Sequence, residues 1–468
     1  MPTTRINLAS RLISRDSTVT KDSNLRNFYR EELGEEVKIT KRPGAAVTAT
    51  LTAGVAQGMF TLDGIIYAVI GDKIRNLSNV VIATIPTVIT PNEPYDILSD
   101  VMLSGTNKAI LKSKTGLWVF TAVGGAIKVT NVNYPALTVR GISFLDGTFY
   151  VLDVFGNLLG SAIEDPTSWT ALNTIGVDQS IGAVQAVRRH LNYILVLGDH
   201  GCQAFYDAAN PPPGSPLSPA SNVMYLVGCA TGDSVVSIDD NTVFIAKARQ
   251  TGRSVQMFSG LTMVPISSPF VEKLLDVAVF STVYAFGLRI TGHSFYVLSI
   301  SNLPYTLAYD MITKDWQIWS TTVSAAESYF QYGFPLSYET RGQPAQGLQY
   351  FQHLTNGTVV LISASNYTDS GQPIQAVART GIFDGGISHR KFFSALKIIS
   401  DTVATTVAVS FSDDDYTSYS VPRSVDLSTV NKQLRALGSS RYRSFRLTHA
   451  DNTPLRLESI ELEVKAKP

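Results

Sequence analysis

The sequence predicts an all-β fold: an irregular β-propeller of six or seven blades followed by a C-terminal β-sandwich or platform domain. Three observations lead to it. Of 468 residues only 16% are charged and 44% are apolar, and Val, Ile, Thr, Tyr and Phe recur between Gly, Pro, Asn and Asp, the composition of strands and tight turns. A phrase of turn, strand, turn, strand returns along the chain. The length exceeds one ordinary hydrophobic core, which favours several domains or one stacked repeat.

The repeat begins at Asp63-Gly64, where the apolar run Ile65 to Ile70 leads into Gly71-Asp72 and a second apolar stretch. It returns at Asn107-Lys108, Asp146-Gly147, Asn192, Asp240-Asn241, Gly292-His293 and, more weakly, Asn356-Gly357. Successive anchors are 44, 39, 46, 48, 52 and 64 residues apart, and most of these spacings suit a propeller blade. A lone four-stranded blade has two apolar faces, and a closed ring buries each against its neighbour while leaving short, protected edges. Leu307 to Asp310 and Trp316 to Trp319 read as an outer hairpin packed between blades, with both tryptophans on one strand face.

Two segments read as interruptions. Asn210 to Ala220 carries Pro211, Pro212, Pro213, Pro216 and Pro219, which marks a stiff exposed excursion. Gln331 to Gly347 is turn-rich and reads as an extended loop or rim insertion. Near the start, Leu25, Phe28, Tyr29 and Leu33 stand at helical spacing ahead of Gly34, and an extended arm is the equal alternative. Val37 to Thr40 alternates as a strand that Lys41-Arg42-Pro43-Gly44 terminates. Beyond Gly385-Gly386 the phrase changes to that of an antiparallel sandwich. There Glu458, Ile460, Leu462 and Val464 oppose the more polar Leu457, Ser459, Glu461 and Glu463, with Glu458 breaking the alternation. These boundaries divide the chain into an N-terminal arm or platform segment (1–44), a propeller (45–385) and a sandwich (386–468).

No constellation of residues points to an enzyme, and no catalytic, cofactor or metal site is expected. The six histidines are dispersed without a metal-binding spacing, and no phosphate-binding glycine loop occurs. Asp413-Asp414-Asp415 reads as a hairpin turn in preference to a cation loop. Cys202 and Cys229 form no paired motif and are expected as buried free thiols. Lys plus Arg and Asp plus Glu are each 38, so tight nonspecific binding of DNA is not expected. The opening residues lack the continuous apolar core of a secretion signal, and the apolar stretches are too short or too interrupted for membrane spans or anchors. Arg435, Arg441, Arg443 and Arg446 form the one local basic concentration, with Arg441 and Arg443 on one strand face. Together with Arg42 they are the candidate contacts to a neighbouring subunit or partner, contact with protein being favoured over DNA phosphate.

Three stretches carry a family resemblance. Asp22 to Glu31 leading to Lys41-Arg42-Pro43-Gly44 resembles the opening of phage tail hub and nozzle proteins, with Phe28 inserted between Asn27 and Tyr29. Asn192 to Leu275, including Pro265-Ile266-Ser267-Ser268 and Val271 to Leu275, is similar to the packaged-DNA stabilisation proteins of short-tailed phages. Leu437 to Leu447 resembles the final sandwich of many tail hub proteins. The resemblance implies a structural tail protein of the virion, made in the host bacterial cytoplasm. It implies a six-fold ring below the portal and adaptor, carrying tail fibres or a needle and enclosing the channel through which double-stranded DNA leaves. The alternatives are a propeller glycosidase or depolymerase and an adhesion propeller that binds host glycans.

Overall fold

In the computed structural model of the chain, the described residues are 3–9, 11–15, 19–34, 36–85, 94–248, 252–280, 282–323, 326–338 and 348–466. They form a β-propeller joined to a β-sandwich. Six sheets of consecutive strands, with limits 56–84, 96–128, 143–176, 184–225, 228–265 and 283–319, follow one another as blades one to six. A further blade combines three late strands, Tyr332–Tyr338, Leu348–His353 and Thr358–Ser363, with the early strand β5 (Gly44–Thr50).

The repeat anchors of the sequence mark these blades. The first six fall at or beside the turn between a blade's innermost and second strands, as at Asp63-Gly64, where φ is +52° and +76°, and Asn356-Gly357 falls between the second and third strands of the composite blade. Two successive left-handed residues match the twist of the flanking strands, which is why Asp-Gly and its relatives recur there. Apolar clusters then fill every gap between neighbouring blades. Phe60, Tyr67, Trp118 and Phe120 join blades one and two, and Leu51, Met59, Leu336 and Val359 join the composite blade to blade one. The ring is therefore closed.

Several local expectations are corrected. Trp316 packs between blades five and six and Trp319 between blade six and the composite blade. Three residues apart on a strand of period two, they must face opposite ways. Leu217–Tyr225 is the outer strand of blade four and contains Pro219, which an edge strand tolerates because its outward face lacks a partner. The excursion is confined to the residues before it. Tyr332–Tyr338 is an innermost strand in place of the expected loop, and 339–347 lie outside the described residues, as do 86–90 of Val80 to Thr90, one of the apolar stretches too interrupted, here by Pro86, for a membrane span. The segment with helical spacing forms two strands, β2 (Asn24–Arg26) and β3 (Phe28–Leu33), broken at Asn27 with φ +59°. The isolated periodicity is overridden by pairing with distant strands.

The first and last parts of the chain share the sandwich sheets. One sheet runs β3, β4 (Glu36–Lys41), Arg456–Ala466, Lys391–Ser400 and Gln433–Arg435, with β1 (Thr3–Asn7) also on Arg456–Ala466. The other continues blade six through β2 to Ala376–Arg379, Ser444–His449, Thr406–Ser412 and Arg423–Asp426. Leu25, Phe28 and Ile39 bury against Phe393, Leu396, Phe445 and Leu462 between them. The irregularity at Glu458 is a bulge: Ile399 pairs with Ser459 and Ser400 with Leu457. The extra residue resets the alternation, so Leu457 and Ile460 both reach the core.

Arg42 sits where the sandwich hands the chain to the propeller. Its guanidinium donates to both Asp369 oxygens at 2.6 and 3.2 Å, to the Ser320 carbonyl at 2.8 Å and to Asn27 Oδ1 at 2.9 Å, and it is 1% exposed. Asp369 also accepts from the Ala45 amide at the start of β5. Beside it, Lys41 Nζ donates to the Asp451 carbonyl and lies 3.3 Å from His449 Nδ1. Burial, reinforced by the adjacent Arg42 charge, pulls the Lys41 ammonium down to about 8. Burial, reinforced by Lys41, pulls His449 down to about 4.

Asp369→Ala leaves the Arg42 charge buried without its carboxylate. Urea unfolding is expected to show a loss of about 3–5 kcal/mol, most of it restored when Arg42→Met is combined with Asp369→Leu. A second expectation concerns pH. The folded pKa of His449 lies below its unfolded value, so its stabilising contribution is complete above about 6.5 and is lost as pH falls toward 4, by up to about 3 kcal/mol. His353 shifts in the same direction. Chemical denaturation from pH 7 to 4 should therefore give a slope that His449→Gln reduces without abolishing.

Candidate assembly surface

The five arginines read as contacts separate into two groups. Arg42 and Arg443 are each 1% exposed and are spent within their own chain. Arg443 Nε and Nη2 donate to the two Asp413 oxygens at 2.7 Å each, Nη1 donates to the Leu437 carbonyl, and the guanidinium lies over the Phe393 and Phe411 rings. A guanidinium buried to this extent is out of reach of another molecule. Both are corrected to internal roles. Arg441 is exposed where Arg443 is buried, because the chain bends between Ser440 and Arg443, with Ser440 Oγ donating to the Tyr442 carbonyl. The expected shared face is therefore not formed.

What reaches the surface is Arg435 on a strand beside Ala395, and Arg441 in an open groove of about 590 Å³ with His389, Arg390 and Tyr442. Arg446 is half-buried, stacked 4.0 Å over the Tyr419 ring with Nε 3.3 Å from Ser410 Oγ. Exposed Phe392 and Tyr442 flank the groove edge. Arginine and aromatic side chains at a rim are the composition of protein contact surfaces. Arg390 and His389 were missed in the sequence, since only the fold brings the start of one strand beside the turn at 439–442.

The acidic triplet is a turn whose members serve three tasks. Asp413 holds Arg443. Asp414 accepts from the Ser418 hydroxyl and amide and from the Ser412 hydroxyl, which pulls its carboxyl down to about 2. Asp415 pairs with Arg15 at 2.5 Å and with Lys21 at 3.5 Å, tying the N-terminal segment to the sandwich. No group of metal-ligating side chains occurs among the described residues. Cys202 and Cys229 are buried free thiols that donate to the carbonyls of Val227 and Thr231. No helix among the described residues is long and apolar enough to cross a membrane.

The axis of the propeller is occupied by side chains. A cavity of about 160 Å³ is lined by Asp96 of blade two, Arg140 ahead of blade three, Arg188 of blade four, Asp233 of blade five, Val283 to Phe286 of blade six and Gly333 to Pro335 of the composite blade. Only the axis touches so many blades at once. Asp96 accepts from Lys112 Nζ at 3.1 Å and from the Gly141 amide at 2.7 Å, with Arg140 Nη1 at 3.2 Å. Burial alone would raise the Asp96 carboxyl, but Arg140, Lys112 and Arg188 outweigh it and hold the group well below the usual carboxylate range. Gly141 is required here: at φ +94° a Cβ would stand 1.8 Å from the Val187 carbonyl oxygen. Arg140 Nε completes the bar by lying 2.8 Å from Asp233 Oδ1.

Comparison with known proteins places this architecture. No curated protein matches the sequence. Among solved structures, the BBS1N domain in complex with ARL6DN is 11% identical, covers 69% of this chain and 98% of its own, and has a TM-score of 0.43. The WD40 β-propeller domain of Doa1 is 11% identical, over 69% of this chain and 97% of that one, with a TM-score of 0.42. Virginiamycin B lyase from Staphylococcus aureus is 8% identical, over 66% and 94%, with a TM-score of 0.42. At these scores they carry no argument about this chain. The family model Phage_stabilise, described as bacteriophage P22 Gp10, β-propeller, matches residues 18–339, more than half of the chain. The chain belongs to this phage stabilisation family, and is a β-propeller structural protein of a short phage tail, as the resemblance at Asn192 to Leu275 implied.

Proposed function

We propose that the chain forms a homo-hexameric ring, the hub or nozzle of the tail, below the portal and adaptor, and that DNA is retained above and released through the space the ring encloses. The observation that carries this reading is the closed propeller axis. A cavity of about 160 Å³ crossed by Arg140 cannot pass a duplex, so a tail protein of this family would act as wall and leave the conduit to the space between copies. The sandwich, with segment 1–44 woven into 386–468, would form the platform toward the adaptor, and the propeller would extend the wall toward fibres or a needle. Near-zero net charge agrees with passage, because a lining of many phosphate-binding cations would hold DNA in place. The role is structural and not enzymatic, and Arg435, Arg441 and half-buried Arg446 are the contact candidates that remain at or near the surface.

Electron microscopy of the purified protein and of virions is expected to show a six-fold ring at the tail. A monodisperse monomer that never joins tail components would overturn the reading. Arg435→Glu with Arg441→Glu should reduce ring assembly or attachment to the adaptor while shifting the thermal midpoint little, since both side chains are exposed. Assembly is read by analytical ultracentrifugation and co-purification with adaptor protein.

A further inference from the structure

The axial cluster holds more positive charge than its own carboxylates balance. Lys112, Arg140 and Arg188 converge on Asp96, and Asp233 is the second carboxylate of the cavity wall. Lys112 is 1% exposed and Asp96 2%, so neither charge is left to bulk water. Lys112 is spent on Asp96 and on the Val139 carbonyl at 2.5 Å. Arg140 is spent on the Pro94 carbonyl, Asp96 and Asp233. Arg188 is not. Among the described residues its nearest carboxylate oxygen lies 4.0 Å away, its hydrogen bond to the Val235 carbonyl is long at 3.4 Å, and its buried Nε has no partner.

We propose that the axial cavity binds a small tetrahedral oxyanion, phosphate or sulfate, held by Arg188 with the Arg140 charge beside it. A guanidinium presents paired donors in a plane, and such an anion accepts from two of them at once. Arg188 is 31% exposed and Arg140 26%, so an anion from solution can reach them, and it would complete the charge balance of the cluster. The volume agrees with the ligand: about 160 Å³ is room for a few waters at about 30 Å³ each or one such ion, and excludes a nucleic-acid strand. Tyr284 and Phe334 also line the cavity, so the ion would meet aromatic surface as well. Bound there, it would sit among residues of blades two, four, five and six. The site lies within one chain and stands or falls independently of ring formation.

The test is isothermal titration of the full-length protein with inorganic phosphate and with sulfate, at ionic strength balanced with sodium chloride, alongside thermal unfolding in the same buffers. One saturable site per chain is expected, with a midpoint that rises with phosphate but not with chloride. Arg188→Gln should weaken binding at least tenfold and Arg188→Lys, which keeps the charge and loses the fork, by a smaller factor. Arg441→Gln, on the sandwich surface, should bind as the parent does. No saturable binding in the parent, an equal shift with chloride, unchanged affinity in a folded Arg188→Gln or Arg188→Lys protein, or an equal loss in Arg441→Gln would each overturn the proposal.

Discussion

The composite blade exists because β5 leaves the sandwich and pairs with Thr358–Ser363, and the place where it leaves is fixed by Arg42. One guanidinium there binds Asn27 from the first sandwich strands, the Ser320 carbonyl at the end of blade six and Asp369 beside the composite blade. Each partner comes from a different layer. A buried arginine is tolerated only when its donors are all met, so the three elements can reach their native positions only together. Ring closure and attachment of the sandwich thereby become one event. The later strands depend on it too: Ala376–Arg379 lies against β2, and Asn27 Nδ2 donates to the Gln375 carbonyl one residue before that strand.

A second ionic knot lies on the axis. The two differ in kind. At the junction Arg42 and Asp369 match one for one, and the guanidinium is sealed by Trp319 and Phe330. On the axis the cations outnumber the carboxylates, and the cavity keeps room beside them. The first arrangement suits a permanent joint. The second closes a tunnel that a propeller otherwise leaves open, and joins the blades across the axis.

The repeat was readable because tight hairpins demand left-handed residues, and Asp-Gly supplies them at Asp63 and Asp146, Ser-Gly at Ser104 and Thr-Gly at Thr291. The regular spacing of those turns carries the propeller almost unaided. Local spacing left the outcome open where a distant partner decides it: Leu25, Phe28 and Leu33 suit a helix face or an extended arm equally, and Asn24–Arg26 and Phe28–Leu33 are extended because they pair with Ala376–Arg379 and Glu36–Lys41. The basic cluster near Arg441 was visible as a run of arginines. Its division into exposed Arg441 and buried Arg443 was not, because burial there depends on Asp413, 30 residues away in sequence.

By itself the sequence determined an all-β chain, the places where strands turn, and the family, since composition, turn chemistry and short motifs are local properties. The tertiary structure decided what local properties cannot hold. An early strand closes the ring, the first and last segments share one sandwich, Trp316 and Trp319 serve different gaps, and Asp96, Arg140, Arg188 and Asp233 meet on the axis. The physical reason is common to all four. Each depends on groups far apart in the chain, whose meeting is fixed by burial of apolar blade faces and by the need to pair every charge that this burial encloses.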